Sequence, residues 1–233
     1  MPQLIAMIII VVAAMIYMFQ TFGGTGDKIE GVAQKTSVIT EINNIKSGLK
    51  FAARAGKIAD NYDAANLEYY NTLIGLAKDN YFAEQMNEQI ITDKDGNERT
   101  DNSFNQYSAI SFGGNSTNAE DGTGAMLLSL VANAPGAIPG IFVDLSRGSL
   151  ENNAGFLEAE IANDLKGIAT IDRLAAVSNA GDTFTSSTSL RTGSNLTAAE
   201  KRVPVAATGG KNDDGMFVIY FNDFGSSELV VDK

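Results

Sequence analysis

The chain has 233 residues, enough for one sizeable domain with an appendage, and it carries a net charge of −11. It contains no Cys and no His, which excludes catalytic thiols, His-based triads, Cys/His zinc sites and disulfides. The acidic balance argues against binding nucleic acid through a broadly basic surface. No Gly-rich phosphate loop occurs, and Glu158 and Glu160 fall on different helix faces, so we expect neither an enzyme nor a cofactor site.

An apolar segment, residues 1–26, opens the chain. Every residue from Leu4 to Phe19 is apolar, and the first charge is Asp27. The run approaches the about 20 residues that cross a bilayer core, and it lacks the polar stripe of an ordinary core helix. We expect a membrane-inserting helix with these positions facing the membrane or a filament core: Leu4, Ile5, Ile8, Ile9, Val12, Ile16 and Phe19. Glycine disfavours helix by about 1 kcal/mol relative to Ala, which predicts a helix break at Gly23, Gly24 and Gly26.

Two other interpretations of this segment stay open, a buried core helix and a cleavable signal peptide. A signal peptide needs a basic start, and no Lys or Arg precedes Lys28. Positive residues after a span normally stay cytoplasmic, so a head outside the cell requires that a basic leader before Met1 was removed. We favour such processing.

A stem helix, residues 27–60, is predicted next. Apolar residues recur at steps of four and three, which predicts one stripe that packs on a globular head: Val38, Ile42, Ile45, Leu49 and Ala52. Six Lys/Arg and three Asp/Glu give the stretch from Asp27 to Lys57 a charge of about +3, against about −14 for the rest of the chain. These basic residues are expected either to face the acidic heads of neighbouring subunits or to form a solvated helix face.

The head, residues 61–233, is predicted to mix helices and strands. Three segments have helical patterns: Asp63–Lys78, Ala125–Ala134 and Leu157–Leu174. Two short segments have strand patterns, the first followed by a hairpin turn at Asp95-Gly96: Gln89–Thr92 and Ile141–Val143. Two segments rich in Gly, Asn, Ser or Thr are predicted as loops: Gly113–Gly124 and Ala180–Leu196.

Three strands are predicted near the C-terminus: Val203–Ala207, Met216–Phe221 and Glu228–Val231. Asp213–Gly215 is the predicted turn between the first two. We expect these strands to pair as an antiparallel sheet on which the stem helix packs. The predicted fold class is α+β, with a long N-terminal helix, half apolar and half amphipathic, packed on a head with a C-terminal antiparallel sheet.

The apolar run from Met1 to Ile16 and the amphipathic stripe from Val38 to Ala52 resemble the type IV pilin family, which includes the pseudopilins of type II secretion. The resemblance implies that a basic leader is cut off, that the new amine is methylated, and that the apolar helices bundle in a filament core beneath the heads. A break in mid-stem is common in such filaments, and Gly23-Gly24 stands where one is expected. Ile5 makes the chain atypical, because most members carry Glu there to neutralise a neighbour's amine.

The resemblance implies a structural subunit of an extracellular pilus-like helical filament that serves adhesion, motility or surface contact. Its partners would be identical subunits, the membrane before assembly, and the pilus assembly machinery. The alternative is a bitopic membrane-anchored external domain or a pseudopilin of a secretion system.

Two kinds of surface site have sequence support. Oxygen ligands at short spacing form a calcium candidate, although a plain Asp-Gly hairpin accounts for the same residues: Asp93, Asp95 and Asn97. Asn115 and Asn195 begin Asn-x-Ser/Thr sequons in predicted loops, which are glycosylation candidates or chance matches.

Overall fold

The computed structural model describes residues 30–63, 68–175 and 190–233. The predicted apolar segment 1–26 and its glycine break lie outside the described residues. Within the part of the chain that the structure describes, no helix is both long and apolar enough to cross a bilayer.

The fold is α+β, with one antiparallel sheet of five strands and a long helix near the N-terminus. Five α-helices are described: α1 (30–54), α2 (Leu73–Lys78), α3 (Glu84–Ile91), α4 (Ser116–Glu120) and α5 (Ala154–Leu165). The sheet has the order β1-β2-β3-β5-β4 and these bounds: β1 (Tyr107–Ser108), β2 (Leu127–Val131), β3 (Gly140–Asp144), β4 (Ala169–Asp172) and β5 (Met216–Phe221). Short 3-10 helices also occur at Ile110–Phe112, Gly148–Asn153 and Glu200–Arg202.

Helix α1 packs its apolar stripe into the main hydrophobic core. Val38, Ile42, Ile45 and Leu49 have no exposed surface and belong to the same core cluster as residues of α2, α5 and the sheet. The helix ends at residue 54, and Gly56 follows with a φ of +66°, a backbone conformation that suits glycine after a helix end. The predicted stem, 27–60, therefore includes turn residues at its C-terminal end.

The central strands of the sheet include a segment that was wrongly predicted as a helix. Ala125–Ala134 was predicted as a helix, but Leu127–Val131 forms β2, which pairs antiparallel with β3. Every residue of β2 and β3 is buried, so both faces of the sheet are covered. A strand buried on both faces lacks the alternation of apolar and polar residues that marks a half-exposed strand. The predicted strand at Ile141–Val143 is confirmed within β3.

The segment after α1 contains two short helices in place of one long helix and a strand. The predicted helix Asp63–Lys78 is wrong at its start, since α2 begins only at Leu73 and residues 68–72 are not helical. The predicted strand Gln89–Thr92 is also wrong, because it overlaps the end of α3, which packs against α2. The turn at Asp95-Gly96 is confirmed: Gly96 has a φ of +83°, and Thr92 and Glu98 form an antiparallel bridge across it.

Helix α5 is shorter than its periodic pattern predicts. The predicted span reached Leu174, but α5 ends at Leu165, and residues 169–172 form β4 along β5. The apolar spacing of a helix continues by chance into this edge strand, which Gly167 separates from the helix. The predicted loop Gly113–Gly124 also contains a helical turn, α4, which Asn115 caps.

The C-terminal predictions are confirmed for one strand of three. Met216–Phe221 is β5, and the turn before it holds Gly215 at a φ of +80°. Val203–Ala207 and Glu228–Val231 are not strands; they contribute only the isolated bridges Leu190–Pro204 and Ala59–Val231. The partners of β5 are β3 and β4, so the antiparallel sheet exists but is not formed by the C-terminal strands alone. Of the predicted loop Ala180–Leu196, residues 180–189 lie outside the described part.

Candidate functional site

One flank of α1 carries cations that pair with acids of the head. Lys35 Nζ lies 2.7 Å from an Asp164 carboxylate oxygen and 3.3 Å from one of Glu160, both on α5. The hydrogen bond to Asp164 raises the pKa of Lys35, against the opposing effect of burial. This pair of contacts fixes α5 against the N-terminal half of the described helix.

The C-terminal half of α1 is tied to the last residues of the chain. Lys46 and Lys50 place their ammonium nitrogens 2.9 and 3.1 Å from the same Asp223 oxygen, and Arg54 lies 2.6 Å from a Glu228 oxygen. Lys46 also stands 4.1 Å above the centre of the Phe221 ring, a cation–π contact.

The two acids of this cluster are held in their charged forms. Burial alone would raise the pKa of Asp223, but hydrogen bonds from Lys46 and Lys50 lower it below its ordinary value. Burial would likewise raise the pKa of Glu228, but hydrogen bonds from the Gly225 N–H and the Arg54 guanidinium lower it below its ordinary value. Four of the six basic residues of the stem therefore pair with acids of the same chain: Lys35, Lys46, Lys50 and Arg54. Contact of the stem with neighbouring heads stays a prediction.

The outward side of α1 is uncharged over most of its length. Between Glu30 and Arg54, the exposed residues of α1 carry no charge: Val32, Ala33, Thr36, Thr40, Asn43, Asn44, Ser47 and Phe51. We call this set the neutral face. Phe51 is 63% exposed and Val32 is 54% exposed, so the face has an apolar residue near each end.

The hydroxyl groups of the neutral face are already hydrogen-bonded to the helix itself. Thr36, Thr40 and Ser47 donate to the carbonyl oxygens four residues earlier, at 3.1, 2.9 and 2.9 Å. Such back-bonding satisfies the hydroxyl proton without water and turns each Thr methyl group outward. Removing this face from water therefore leaves no hydroxyl donor unpaired.

On the other flank of α1, an open groove of about 550 Å³ runs between this helix and α3, and it adjoins the neutral face, of which Asn44, Ser47 and Phe51 also line the groove. We call it the Glu41 groove, and its lining includes Glu41, Phe51, Tyr81, Met86 and Tyr107. The Glu41 carboxylate is 5% exposed and accepts hydrogen bonds from the Tyr107 hydroxyl at 3.4 Å, from the Ser111 N–H at 3.3 Å and from the Ser111 hydroxyl. Among the described residues, no Lys or Arg nitrogen lies within 4.0 Å of it.

Sequence reasoning counted Glu41 only as one negative charge of the stem and missed this groove. A signal was present, because Glu41 lies three residues after Val38 and four before Ile45, at the edge of the buried stripe. The residues that complete the groove come from α3 and from the 3-10 turn after β1, which no local pattern of α1 indicates.

The calcium candidate forms a tight turn. One Asp93 oxygen accepts the backbone N–H groups of Asp95 and Asn97 at 2.9 and 2.8 Å, while the Asp95 carboxylate pairs with Lys94 at 2.8 Å. These hydrogen bonds, that of Asn97 first, lower the pKa of Asp93. Within the described residues, no cluster of three acidic side chains is arranged to hold a metal ion. The hairpin interpretation accounts for these residues.

Both glycosylation candidates are on the surface. Asn115 is exposed at the start of α4, where its side-chain oxygen accepts the Asn118 N–H at 3.0 Å and Asn118 returns the bond. Asn195 is exposed in a turn that precedes a second reciprocal pair, between Thr197 and Glu200. Because both asparagines are exposed, glycosylation is sterically possible at either position.

The two carboxylates of α5 have unlike surroundings. Glu158 is fully buried, and burial raises its pKa although Arg173 lies 2.6 Å away and the Gly215 N–H donates at 2.9 Å. Glu160 is half-exposed and faces Lys35. Glu158 links α5 to β4 and β5 through these bonds, which is a role in holding the fold.

The predicted filament-core positions lie outside the described residues: Leu4, Ile5, Ile8, Ile9, Val12, Ile16 and Phe19. The neutral face and the Glu41 groove are thus the surfaces of α1 left for an interaction with other molecules. No family model, curated protein or solved structure significantly matches this chain.

Proposed function

We propose that this chain is a structural subunit of a pilus-like helical filament, without enzymatic activity. In this proposal residues 1–26 anchor the subunit in the membrane before assembly, pilus assembly machinery extrudes it, and the acidic head faces the outside of the cell. The single observation that carries the proposal is the neutral face of α1.

A helix face exposed to water in a monomeric protein is normally rich in charged residues. The neutral face has none over the stretch from Val32 to Phe51. Burying a charge without a partner costs several kcal/mol, whereas burying hydroxyls that are already bonded to their own helix costs little. The face is therefore suited to packing against another helix, and its small residues allow a close approach.

The position of the face in the chain supports assembly over a soluble role. The neutral face begins at Val32, a few residues after the apolar segment 1–26 ends. The cations of α1 are meanwhile paired with head acids, so the stem brings little unpaired charge into a contact with its neighbours. Membrane segment, neutral face and head would then form three successive zones from the filament axis outward.

The experiment is electron microscopy of the full-length protein with a charge placed on the neutral face. We expect filaments from the wild type, and a loss of about tenfold or more in filament yield for Thr40→Lys, since the new charge would have to be desolvated. Thr208→Lys, at an exposed head position, is the matched control and should assemble normally. Thermal unfolding should show both variants folded.

Two results would count against the proposal. Wild-type protein that forms only monodisperse particles in detergent would favour the bitopic anchored domain instead. Filaments of undiminished yield from Thr40→Lys would show that the neutral face is not a contact between subunits.

A further inference from the structure

The turn between α5 and β4 projects from the molecule. Lys166 and Ile168 are both exposed, and Ile168 keeps 54% of its surface in solvent. A side chain added at Gly167 between them would meet nothing within 4 Å. We call residues 166–168 the knob. It presents one ammonium group and one branched apolar side chain.

The Lys166 ammonium is a cation without an acidic partner. Its nitrogen donates to the Asn163 side-chain oxygen at 2.9 Å, and in the described residues no carboxylate lies within 4.0 Å of it. This differs from Lys35, Lys46 and Lys50, which all pair with acids.

The Glu41 groove has the complementary chemistry. Its carboxylate accepts hydrogen bonds from neutral donors alone, and it lies between walls that include Phe51, Tyr81 and Tyr107. A carboxylate next to aromatic faces favours a primary ammonium group, through charge and through cation–π attraction. The apolar part of the groove, Phe51 and Met86, suits an aliphatic side chain.

The knob and the groove lie on opposite sides of α1. A helix turns about 100° per residue, which puts Lys35 and Lys46 on one side of the buried stripe and Glu41 and Gly48 on the other. Lys35 contacts α5, the helix that ends in the knob, whereas Glu41 and Gly48 line the groove. A knob therefore cannot reach the groove of its own chain, and its residues are exposed to solvent.

We infer that the knob of one subunit occupies the Glu41 groove of the next, with Lys166 on Glu41 and Ile168 against Phe51. This inference rests on the proposed function, because it assigns a lateral contact within the filament. A contact between two different surfaces of identical chains is heterologous. Repeating it produces a ring where the rotation closes and an open helical array where it does not, and the filament requires the open array.

Disulfide trapping tests the contact in assembled full-length protein, and the absence of native cysteine makes the result specific. Asn44→Cys is in the exposed wall of the groove, and Gly167→Cys is in the knob. Filaments of the double variant should give a ladder of covalent multimers on a non-reducing gel. Each single variant should stay monomeric on the same gel, because the contact joins position 44 only to position 167. The control pair Asn44→Cys with Lys201→Cys should give no ladder.

A charge variant provides the second readout. Lys166→Glu should lower filament yield about tenfold by facing Glu41 with a like charge, and Lys166→Arg should keep it near the wild-type value. Lys201→Glu, which reverses another exposed lysine, is the control and should assemble normally.

The outcomes separate the two proposals. Filaments that give no ladder with the Asn44→Cys, Gly167→Cys pair, or that form equally well with Lys166→Glu, would overturn the knob-in-groove contact and leave the filament function standing. Wild-type protein that forms no filaments would overturn both.

Discussion

At the scale of single residues, Gly48 shows how closely α1 approaches the head. A Cβ at this position would meet the Phe82 ring and would stand 2.7 Å from the Tyr81 carbonyl oxygen. Glycine inside a helix ordinarily costs about 0.5–1 kcal/mol relative to Ala. The presence of Gly48 in the interior of α1 is therefore explained by contact with the segment before α3.

We expect Gly48→Ala to reduce the free energy of unfolding by about 1–3 kcal/mol, because overpacking outweighs the gain in helix propensity. Gly167→Ala is the matched control, since its Cβ would enter open space, and it should change stability by less than about 0.5 kcal/mol. Urea unfolding followed by circular dichroism measures both. Equal stability of the two variants would show that α1 and Phe82 are not in the contact described.

At the scale of elements, α1 is joined to the C-terminal segment by charges as well as by its apolar stripe. Asp223 and Glu228 both have pKa values below their ordinary range in the folded chain. In the unfolded chain these acids return to values near 4. The unfolded chain then binds protons at a higher pH than the folded one, so this contribution to stability is present above about pH 4 and is lost as the pH falls through the folded values.

We therefore expect acid to destabilise the wild type more steeply than the double variant Asp223→Asn, Glu228→Gln. The variant should be less stable at pH 7, and the difference should narrow as the pH falls from about 5 to 3. Burial raises the pKa of Glu158, so its contribution to stability changes with pH in the opposite sense. Glu158 is present in both proteins and therefore does not affect the difference between them. Urea midpoints across this pH range measure the effect, with Glu68→Gln as a surface control. Parallel curves for wild type and double variant would contradict the assignment.

At the scale of the whole molecule, the described chain has one core that includes both α1 and the sheet. The buried side of α1 is thus part of the head, and its neutral face is the outer surface of that unit. The head and the stem should consequently fold together as one unit.

We expect a fragment of residues 27–233 to be a folded, detergent-free monomer that does not assemble. Circular dichroism should show mixed helix and strand with one cooperative unfolding transition, and light scattering should give the monomer mass near neutral pH. A fragment that aggregates or lacks cooperative unfolding would show that the apolar segment is needed for the fold. Filaments formed by the fragment would show that the apolar segment is not needed for assembly.

Local patterns predicted one element from its one-sided burial and another from the turn residues that bound it. The stripe from Val38 to Leu49 located the buried side of α1, and the run Met216–Phe221 between turn residues located β5. The Asp95-Gly96 and Gly215 turns were predictable because they need backbone conformations that glycine adopts at low cost. The α+β class followed from these elements.

By itself, then, the sequence determined the amphipathic stem, the antiparallel character of the sheet around β5 and the absence of Cys and His chemistry. Only the tertiary structure decided that Leu127–Val131 is a strand, because a short apolar run without alternation fits a buried strand and a buried helix segment equally well. The tertiary structure also decided which acids pair with the stem cations, and it formed the Glu41 groove. Lys50 meets Asp223, and Glu41 meets Ser111, across long separations in the chain. Such contacts depend on how distant elements pack, and a local sequence pattern does not contain this information.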